Sequence, residues 1–103
     1  MIGLFKKLLG LGKPVDFKGL VKNGAQIIDV RTPGEFKSGH ISGAVNIPLQ
    51  QFQSGISKIK NDKPVITCCA SGMRSASAKN MLQSAGFKEV YNGGGWAGLN
   101  RKL

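Results

Sequence analysis

Short apolar runs alternate with amphipathic stretches along the chain after residue 14. The strongest run is Pro64–Cys68, which is β-branched and almost continuously apolar. Three further runs, Ile27–Val30, Ala44–Ile47 and Glu89–Tyr91, are also predicted to be strands. Strands of this continuously apolar kind are typical of a parallel sheet that is buried on both faces. The pattern therefore predicts an α/β fold, with a small central parallel sheet flanked by helices on both faces.

Helical signals fill the segments between these runs. Asp16 can cap a helix that extends to about Val21. The run Thr32–Glu35 has the pattern of a capping box with proline at the first helical position. The other predicted helices are residues 49–60, the segment that runs from the cysteine loop to residue 86, and a closing helix that starts at residue 96.

The charge balance is strongly basic. Fifteen Lys and Arg residues stand against five Asp and Glu residues, which gives a net charge of +10 in a chain of 103 residues. Such a balance favours an anionic partner, which could be a small anion, a nucleic acid or a membrane surface. The lysines are scattered and form no basic stripe with interleaved aromatic residues, so we predict small anions and no nucleic acid.

The first thirteen residues form a basic amphipathic leader in this interpretation, and residues 14–103 form a single domain. Ile2, Phe5 and Leu8 fall on one helical face, with Lys6 and Lys7 opposite. The segment is too short for a transmembrane helix and lacks the apolar region of a signal peptide. A short helix packed on the domain, or a frayed terminus, is favoured over contact with a membrane surface or a partner.

The two cysteines of the chain, Cys68 and Cys69, are adjacent. Neighbouring residues rarely reach the Cα separation of a disulfide without strain, so no disulfide is predicted and a cytoplasmic location is favoured. One histidine and no C-x-x-C pair argue against a metal site, and no cofactor is predicted.

Cys69 lies where the strongest strand ends and a tight loop leads into a helix. Loop amides and the helix N-terminus supply positive partial charge there, which favours the reactive thiolate. Arg74 adds a full positive charge on the first helical turn. We predict that Cys69 is a nucleophile that faces an anion. Because neighbours in a strand point to opposite faces, Cys68 is predicted to face the core.

The predicted substrate-binding residues follow Cys69 directly: Ala70, Ser71, Gly72, Met73 and Arg74. Ala70 and Met73 are expected to contribute amides and pocket shape, and Gly72 a backbone turn that other residues resist. Arg74 either orients an oxyanion or pairs with a carboxylate, and the first is favoured because carboxylates are scarce.

Three polar residues are predicted to support the loop. Ser75 either donates a hydroxyl hydrogen bond to the bound sulfur or caps the helix. Asp29 and Arg31 end another strand and can approach the loop from behind. A structural ion pair, with Glu35 as one partner of Arg31, is the favoured alternative for them. His40 is expected to be a structural hydrogen-bonding residue rather than a base.

Three segments together resemble the rhodanese-like domain family. Ile27–Phe36 and Gly39–Pro48 are similar to its N-terminal signature, and Val90–Trp96 resembles its closing strand, diglycine and tryptophan. The Cys69–Arg74 loop stands in the place of that family's active site. The resemblance covers roughly residues 15–103, with the pieces in the expected order.

The resemblance implies a thiosulfate sulfurtransferase-like enzyme. In that family the cysteine takes a sulfane sulfur from a small anionic donor such as thiosulfate, becomes a persulfide, and passes the sulfur to a thiol or cyanide. Phosphatases that resemble rhodaneses have five residues between cysteine and arginine, whereas four lie between Cys69 and Arg74. This smaller loop favours sulfur transfer.

A second hypothesis stays open beside this one. Ala70 stands where many rhodaneses have an arginine or another polar residue, so the loop is poor in charge. The chain could therefore be a persulfide carrier or an interaction module whose sulfur donor or acceptor is a protein. Both functions need the same cysteine.

Overall fold

The computed structural model describes residues 14–103, and the leader proposed for residues 1–13 lies outside them. The elements follow in chain order: helix α1 (Phe17–Lys22), strand β1 (Gln26–Asp29), helix α2 (Pro33–Ser38), strand β2 (Val45–Asn46), helix α3 (Phe52–Gly55), strand β3 (Val65–Cys69), helix α4 (Met73–Ser84), strand β4 (Val90–Gly95) and helix α5 (Trp96–Arg101).

All four strands are parallel and lie in the order β2-β1-β3-β4. Two buried clusters cover the two faces of this sheet. Residues Phe52, Ile59, Ala78 and Leu82 pack on one face, and Phe17, Ile41 and Leu99 pack on the other. The predicted α/β architecture with helices on both faces is therefore confirmed.

Two helix starts form as the local sequence predicts. The amide of Gly19 donates to Oδ1 of Asp16 at 3.0 Å, which caps α1. The capping box at α2 is complete: the amide of Glu35 donates to the hydroxyl of Thr32 at 3.3 Å, and the amide of Thr32 donates to the Glu35 carboxylate at 2.9 Å. These contacts satisfy amides that a helix leaves unpaired.

The prediction of one helix over residues 49–60 is wrong. The segment forms a 3₁₀ turn (Leu49–Gln51), the short helix α3 and a second 3₁₀ turn (Ile56–Lys58). Gly55 explains the interruption in part, because glycine weakens a helix by about 1 kcal/mol relative to alanine. It is needed there, since a Cβ on Gly55 would lie 2.6 Å from Cγ2 of Ile47.

The last strand is longer than the predicted Glu89–Tyr91 and continues through Gly95. Its glycines permit a close approach to β3 and to the loop that follows it. A Cβ on Gly93 would lie 2.9 Å from Cγ2 of Ile66, and one on Gly95 would lie 2.8 Å from the carbonyl oxygen of Ala70. Absence of side chains therefore lets β4 lie directly against the cysteine loop.

Candidate active site

Cys69 is the last residue of β3, at the carboxyl end of the parallel sheet. Every residue of β3 is buried, and Cys69 itself is only 1% exposed. The loop covers it with Ala70 and Ser71, both exposed, before α4 begins at Met73. In open α/β sheets ligands bind beyond the carboxyl ends of the strands, and Cys69 lies at this end.

Gly72 turns the loop back over the sulfur. Its φ of +106° lies in the left-handed region that favours glycine, as predicted. With this turn, the Gly72 amide donates to Sγ of Cys69 at 2.9 Å, and the Ser75 amide donates to it at 3.4 Å. The Ser75 hydroxyl also lies 3.4 Å from Sγ. The sulfur is therefore held in a shell of hydrogen-bond donors.

These donors decide the ionisation of Cys69. Burial raises the pKa of the Cys69 thiol, but the hydroxyl and amide of Ser75, together with the amides of Gly72 and Ser71, outweigh it. The net effect is a pKa below the usual value for cysteine. The same groups stabilise negative charge on sulfur without a basic side chain.

Asn92 of β4 organises the Ser75 side of the site, and the sequence analysis missed it. Its Oδ1 lies 2.6 Å from the Ser75 hydroxyl and accepts the Gly94 amide at 2.9 Å, while its Nδ2 donates to the Gly72 carbonyl at 3.1 Å. A polar residue just before a glycine run, in a strand that ends beside the loop, is the signal that could have indicated it.

Ser75 is completely buried and also serves the fold. Its hydroxyl can donate to Gly72 at 3.1 Å as well as to Asn92, and its carbonyl accepts the Thr67 hydroxyl at 2.8 Å. The hydroxyl contacts Sγ of Cys69, and its donation to a bound sulfur stays a prediction. The predicted capping role is wrong, because α4 begins without a side-chain cap and the Ser75 hydroxyl donates to the Gly72 carbonyl instead. One hydroxyl proton cannot serve all of these acceptors at once.

Arg74 pairs with a carboxylate, which was the alternative given less weight in the sequence analysis. Its two terminal nitrogens donate to Oε1 and Oε2 of Glu35 at 2.8 and 3.0 Å. The binding of a substrate oxyanion by Arg74 stays a prediction. Glu35 was missed as a partner of this loop because 39 residues separate it from Arg74.

Asp29 and Arg31 pair with each other, so the structural ion pair favoured for them is confirmed, but the suggested partner Glu35 is wrong. The Asp29 carboxylate accepts Nε and Nη2 of Arg31, with the shortest contact at 2.7 Å, and both residues are buried. Arg31 also donates to the carbonyls of Glu35 and Gly39. Within residues 14–103, neither side chain hydrogen-bonds to the cysteine loop, and the pair organises the segment before β2 instead.

The two cysteines face opposite sides of the sheet, as predicted. Cys68 packs with Phe17, Ile66 and Leu99, whereas Cys69 belongs to the cluster on the other face. Burial raises the pKa of Cys68 to about 12. Cys68 is therefore a neutral core thiol.

The remaining predicted site residues contribute backbone or surface. Ala70 touches β4 through its carbonyl oxygen, and Met73 is 80% exposed at the start of α4. His40 is exposed, stacks on Phe36 and donates from Nδ1 to the Phe36 carbonyl at 2.7 Å, which fits the structural role expected of it. Over the part of the chain that the structure describes, no three His, Cys, Asp or Glu side chains form a possible metal site.

The structure thus has a buried cysteine at a strand end, with loop amides around its sulfur, in a four-stranded parallel α/β domain. The sequence profile of the rhodanese-like domain matches residues 13–102. The chain therefore belongs to the rhodanese-like domain family, as its sequence indicates.

Similar proteins include both uncharacterised and named members. The uncharacterised protein YqhL of Bacillus subtilis is 48% identical over 68 residues, which cover 66% of this chain and 54% of YqhL. The thiosulfate sulfurtransferase GlpE of Ectopseudomonas mendocina is 37% identical over 79 residues, covering 77% of this chain and 72% of GlpE. This chain therefore matches about half the length of YqhL and nearly three quarters of GlpE.

A solved structure of a rhodanese with anions from E. coli superposes with a TM-score of 0.68. It is 33% identical, and the match covers 72% of this chain and 89% of that one.

No helix among residues 14–103 has the length and apolarity needed to cross a membrane.

Proposed function

We propose that this protein is a sulfurtransferase that carries a sulfane sulfur on Cys69. The observation that supports this most directly is the position of Sγ, which lies 2.9 Å from the Gly72 amide and 3.4 Å from both the amide and the hydroxyl of Ser75. Such donors stabilise a sulfur anion, which is the state of the cysteine before attack and of the persulfide after it.

The first half of the reaction loads the cysteine. With thiosulfate as donor, the Cys69 thiolate attacks the outer sulfur of the donor and forms a new S–S bond. The bond between that sulfur and the sulfonate group breaks, and sulfite leaves with the electron pair. One thiolate and one thiosulfate dianion thus give one persulfide anion and one sulfite dianion.

The second half of the reaction removes the sulfur from Cys69. Cyanide, or the thiolate of an acceptor, attacks the outer sulfur of the Cys69 persulfide. The S–S bond breaks and Cys69 leaves as a thiolate, so thiocyanate or a new persulfide is released. Because the loop donors stabilise the departing thiolate, they also assist this step.

Loading on Cys69 is tested by intact mass spectrometry and peptide mapping after treatment with a sulfane donor. We expect a gain of one sulfur on Cys69, and loss of that sulfur with formation of thiocyanate after addition of cyanide. Cys68→Ala is the matched control and keeps both steps, whereas Cys69→Ala loses both. Sulfur that maps to Cys68, or thiocyanate formation that survives in Cys69→Ala, would contradict the proposal.

The carrier hypothesis is favoured by one observation, because the charged residue of the loop is already paired with Glu35. A carrier loads one sulfur per chain and turns over slowly with thiosulfate and cyanide alone. An enzyme turns over many times under the same conditions. Counting thiocyanate formed per chain therefore separates the two functions.

A further inference from the structure

The formal charge of the cysteine loop comes from a single side chain. Among residues 70–75, Arg74 is the one with a formal charge, and the others are Ala70, Ser71, Gly72, Met73 and Ser75. Both ends of its guanidinium are engaged by the Glu35 carboxylate, at 2.8 and 3.0 Å. The positive charge next to the cysteine loop is therefore neutralised within the protein.

Thr32, at the start of the same helix, also holds Glu35 in place. Besides Arg74, its Oε1 accepts the amide of Thr32 at 2.9 Å and the hydroxyl of Thr32 at 3.1 Å. The hydrogen bonds from Arg74 and Thr32 lower the pKa of Glu35 to about 2, so the carboxylate stays ionised at neutral pH. A donor anion that needs Arg74 must compete with an acceptor that the capping box already orients.

The cavity beside this ion pair has little charge of its own. It encloses about 170 Å³ and is lined by Val30, Thr32, Pro48, Leu49, Gln50 and Arg74. Arg74 is the charged member of this lining, and its charge is matched by Glu35. This cavity therefore adds no further positive charge that could replace that of Arg74 for a donor anion.

We propose that Glu35 determines donor specificity: by neutralising Arg74 it favours persulfides, which carry at most one negative charge on sulfur, over dianionic thiosulfate. This inference rests on the sulfurtransferase function proposed above and names the donor class for the same site. The Cys69 thiolate attacks the outer sulfur of a persulfide R–S–S⁻, and the bond between the two donor sulfurs breaks. The donor leaves as R–S⁻ with the electron pair, so no oxidant or reductant is consumed.

Glu35→Gln tests the proposal. Glutamine can still accept the Thr32 amide, so the cap of α2 is retained while the positive charge of Arg74 is no longer neutralised. The measurement is kcat/KM for thiosulfate and for the persulfide of 2-mercaptoethanol, with cyanide as acceptor in both. Glu89→Gln is the matched control, because it removes the same charge from an exposed residue that hydrogen-bonds to Tyr91.

The ratio of the two kcat/KM values, thiosulfate over persulfide, is expected to rise about fivefold in Glu35→Gln. The rise should shrink toward none at high ionic strength, because salt screens exposed charges. It should also disappear in the double variant Glu35→Gln/Arg74→Ala. A structural effect of Glu35 would change both donors equally and would not respond to salt.

Three results would overturn the assignment of specificity to Glu35: an unchanged ratio in Glu35→Gln, an equal rise in Glu89→Gln, or a rise that persists without Arg74. Arg74→Ala alone is a second test that leaves Glu35 intact. It leaves the Glu35 carboxylate without its cation, so the ratio should fall by about as much as it rises in Glu35→Gln. If no variant takes sulfur onto Cys69 from either donor, the proposed sulfurtransferase function is wrong. If Cys69 takes up sulfur but the ratio behaves in one of the three ways above, only the proposed role of Glu35 is wrong.

Discussion

The two faces of β3 place the same functional group in two different environments. Cys68 and Cys69 are adjacent and both are buried, at 0% and 1% exposure. Burial raises the pKa of Cys68 to about 12, whereas hydrogen bonds from Ser75, Gly72 and Ser71 bring the pKa of Cys69 below its usual value despite burial. Burial alone therefore does not decide the reactivity of a thiol, and the decisive factor is whether donors reach the sulfur.

The difference arises from what packs on each face. On the Cys68 face, Ile66 and Leu99 offer apolar surface without hydrogen-bond donors. On the Cys69 face, the chain leaves the strand, turns at Gly72 and returns its amides to the sulfur. An apolar contact and a loop of amides exclude water equally well, but only the second replaces the hydration of an anion.

The largest expected difference between the two cysteines is in their rates of alkylation in the native protein. With iodoacetamide at pH 7.5, Cys69→Ala should react at least about a hundredfold more slowly than the wild type, because the remaining Cys68 is almost wholly protonated. Cys68→Ala should react at the wild-type rate. Equal rates for the two single variants would show that the faces do not differ in reactivity.

Ser75→Ala should reduce the difference in reactivity between Cys69 and Cys68, because it removes the hydroxyl that lies 3.4 Å from Sγ of Cys69. A lowered pKa means that the thiolate fraction rises to its plateau at a lower pH than for free cysteine, whose pKa is about 8.5. Without the hydroxyl the midpoint should move to higher pH, and alkylation at a pH below both midpoints should slow by about tenfold. The pH dependence of alkylation, recorded in the Cys68→Ala background, measures this midpoint. An unchanged midpoint would assign the low pKa to the amides alone.

Asn92→Ala tests the support behind Ser75. Asn92 holds the Ser75 hydroxyl at 2.6 Å and the Gly72 carbonyl at 3.1 Å, but it does not hydrogen-bond to the sulfur. We expect a smaller upward shift of the Cys69 midpoint and about a threefold loss of rate, because the Gly72 carbonyl loses its partner and the loop amides are held less firmly against the sulfur, which outweighs release of the Ser75 hydroxyl proton. A loss as large as that of Ser75→Ala would mean that Asn92 determines the loop conformation itself.

Cys68→Ala provides the smallest expected effect, and it concerns stability. Removing a buried atom the size of a methyl group leaves a small cavity, which costs about 0.5–1.5 kcal/mol of the free energy of unfolding. Denaturant titration measures this loss, with alkylation of Cys69 as the check that the site is intact. If sulfur uptake fell together with stability, Cys68 would have a role in the chemistry after all.

The sequence alone determined most of the architecture and the position of the site. Apolar runs and capping residues predict local structure because they act over a few neighbours, and the capping box at Thr32 and the turn at Gly72 formed as expected. Alternation along a strand was sufficient to separate Cys68 from Cys69. The helix over residues 49–60 failed because the packing of Gly55 on Ile47 is not visible in helical periodicity.

Contacts between distant segments were decided by the tertiary structure alone. The sequence contains several carboxylates that could pair with Arg74, and only the fold brings Glu35 to it across 39 residues of chain. In the same way, Asn92 reaches Ser75 because β4 packs beside β3 and its glycines bring the backbone close to the loop. Local propensity places a cysteine at the end of a strand, but the charge and hydrogen bonds around it come from residues that folding brings together from far along the chain.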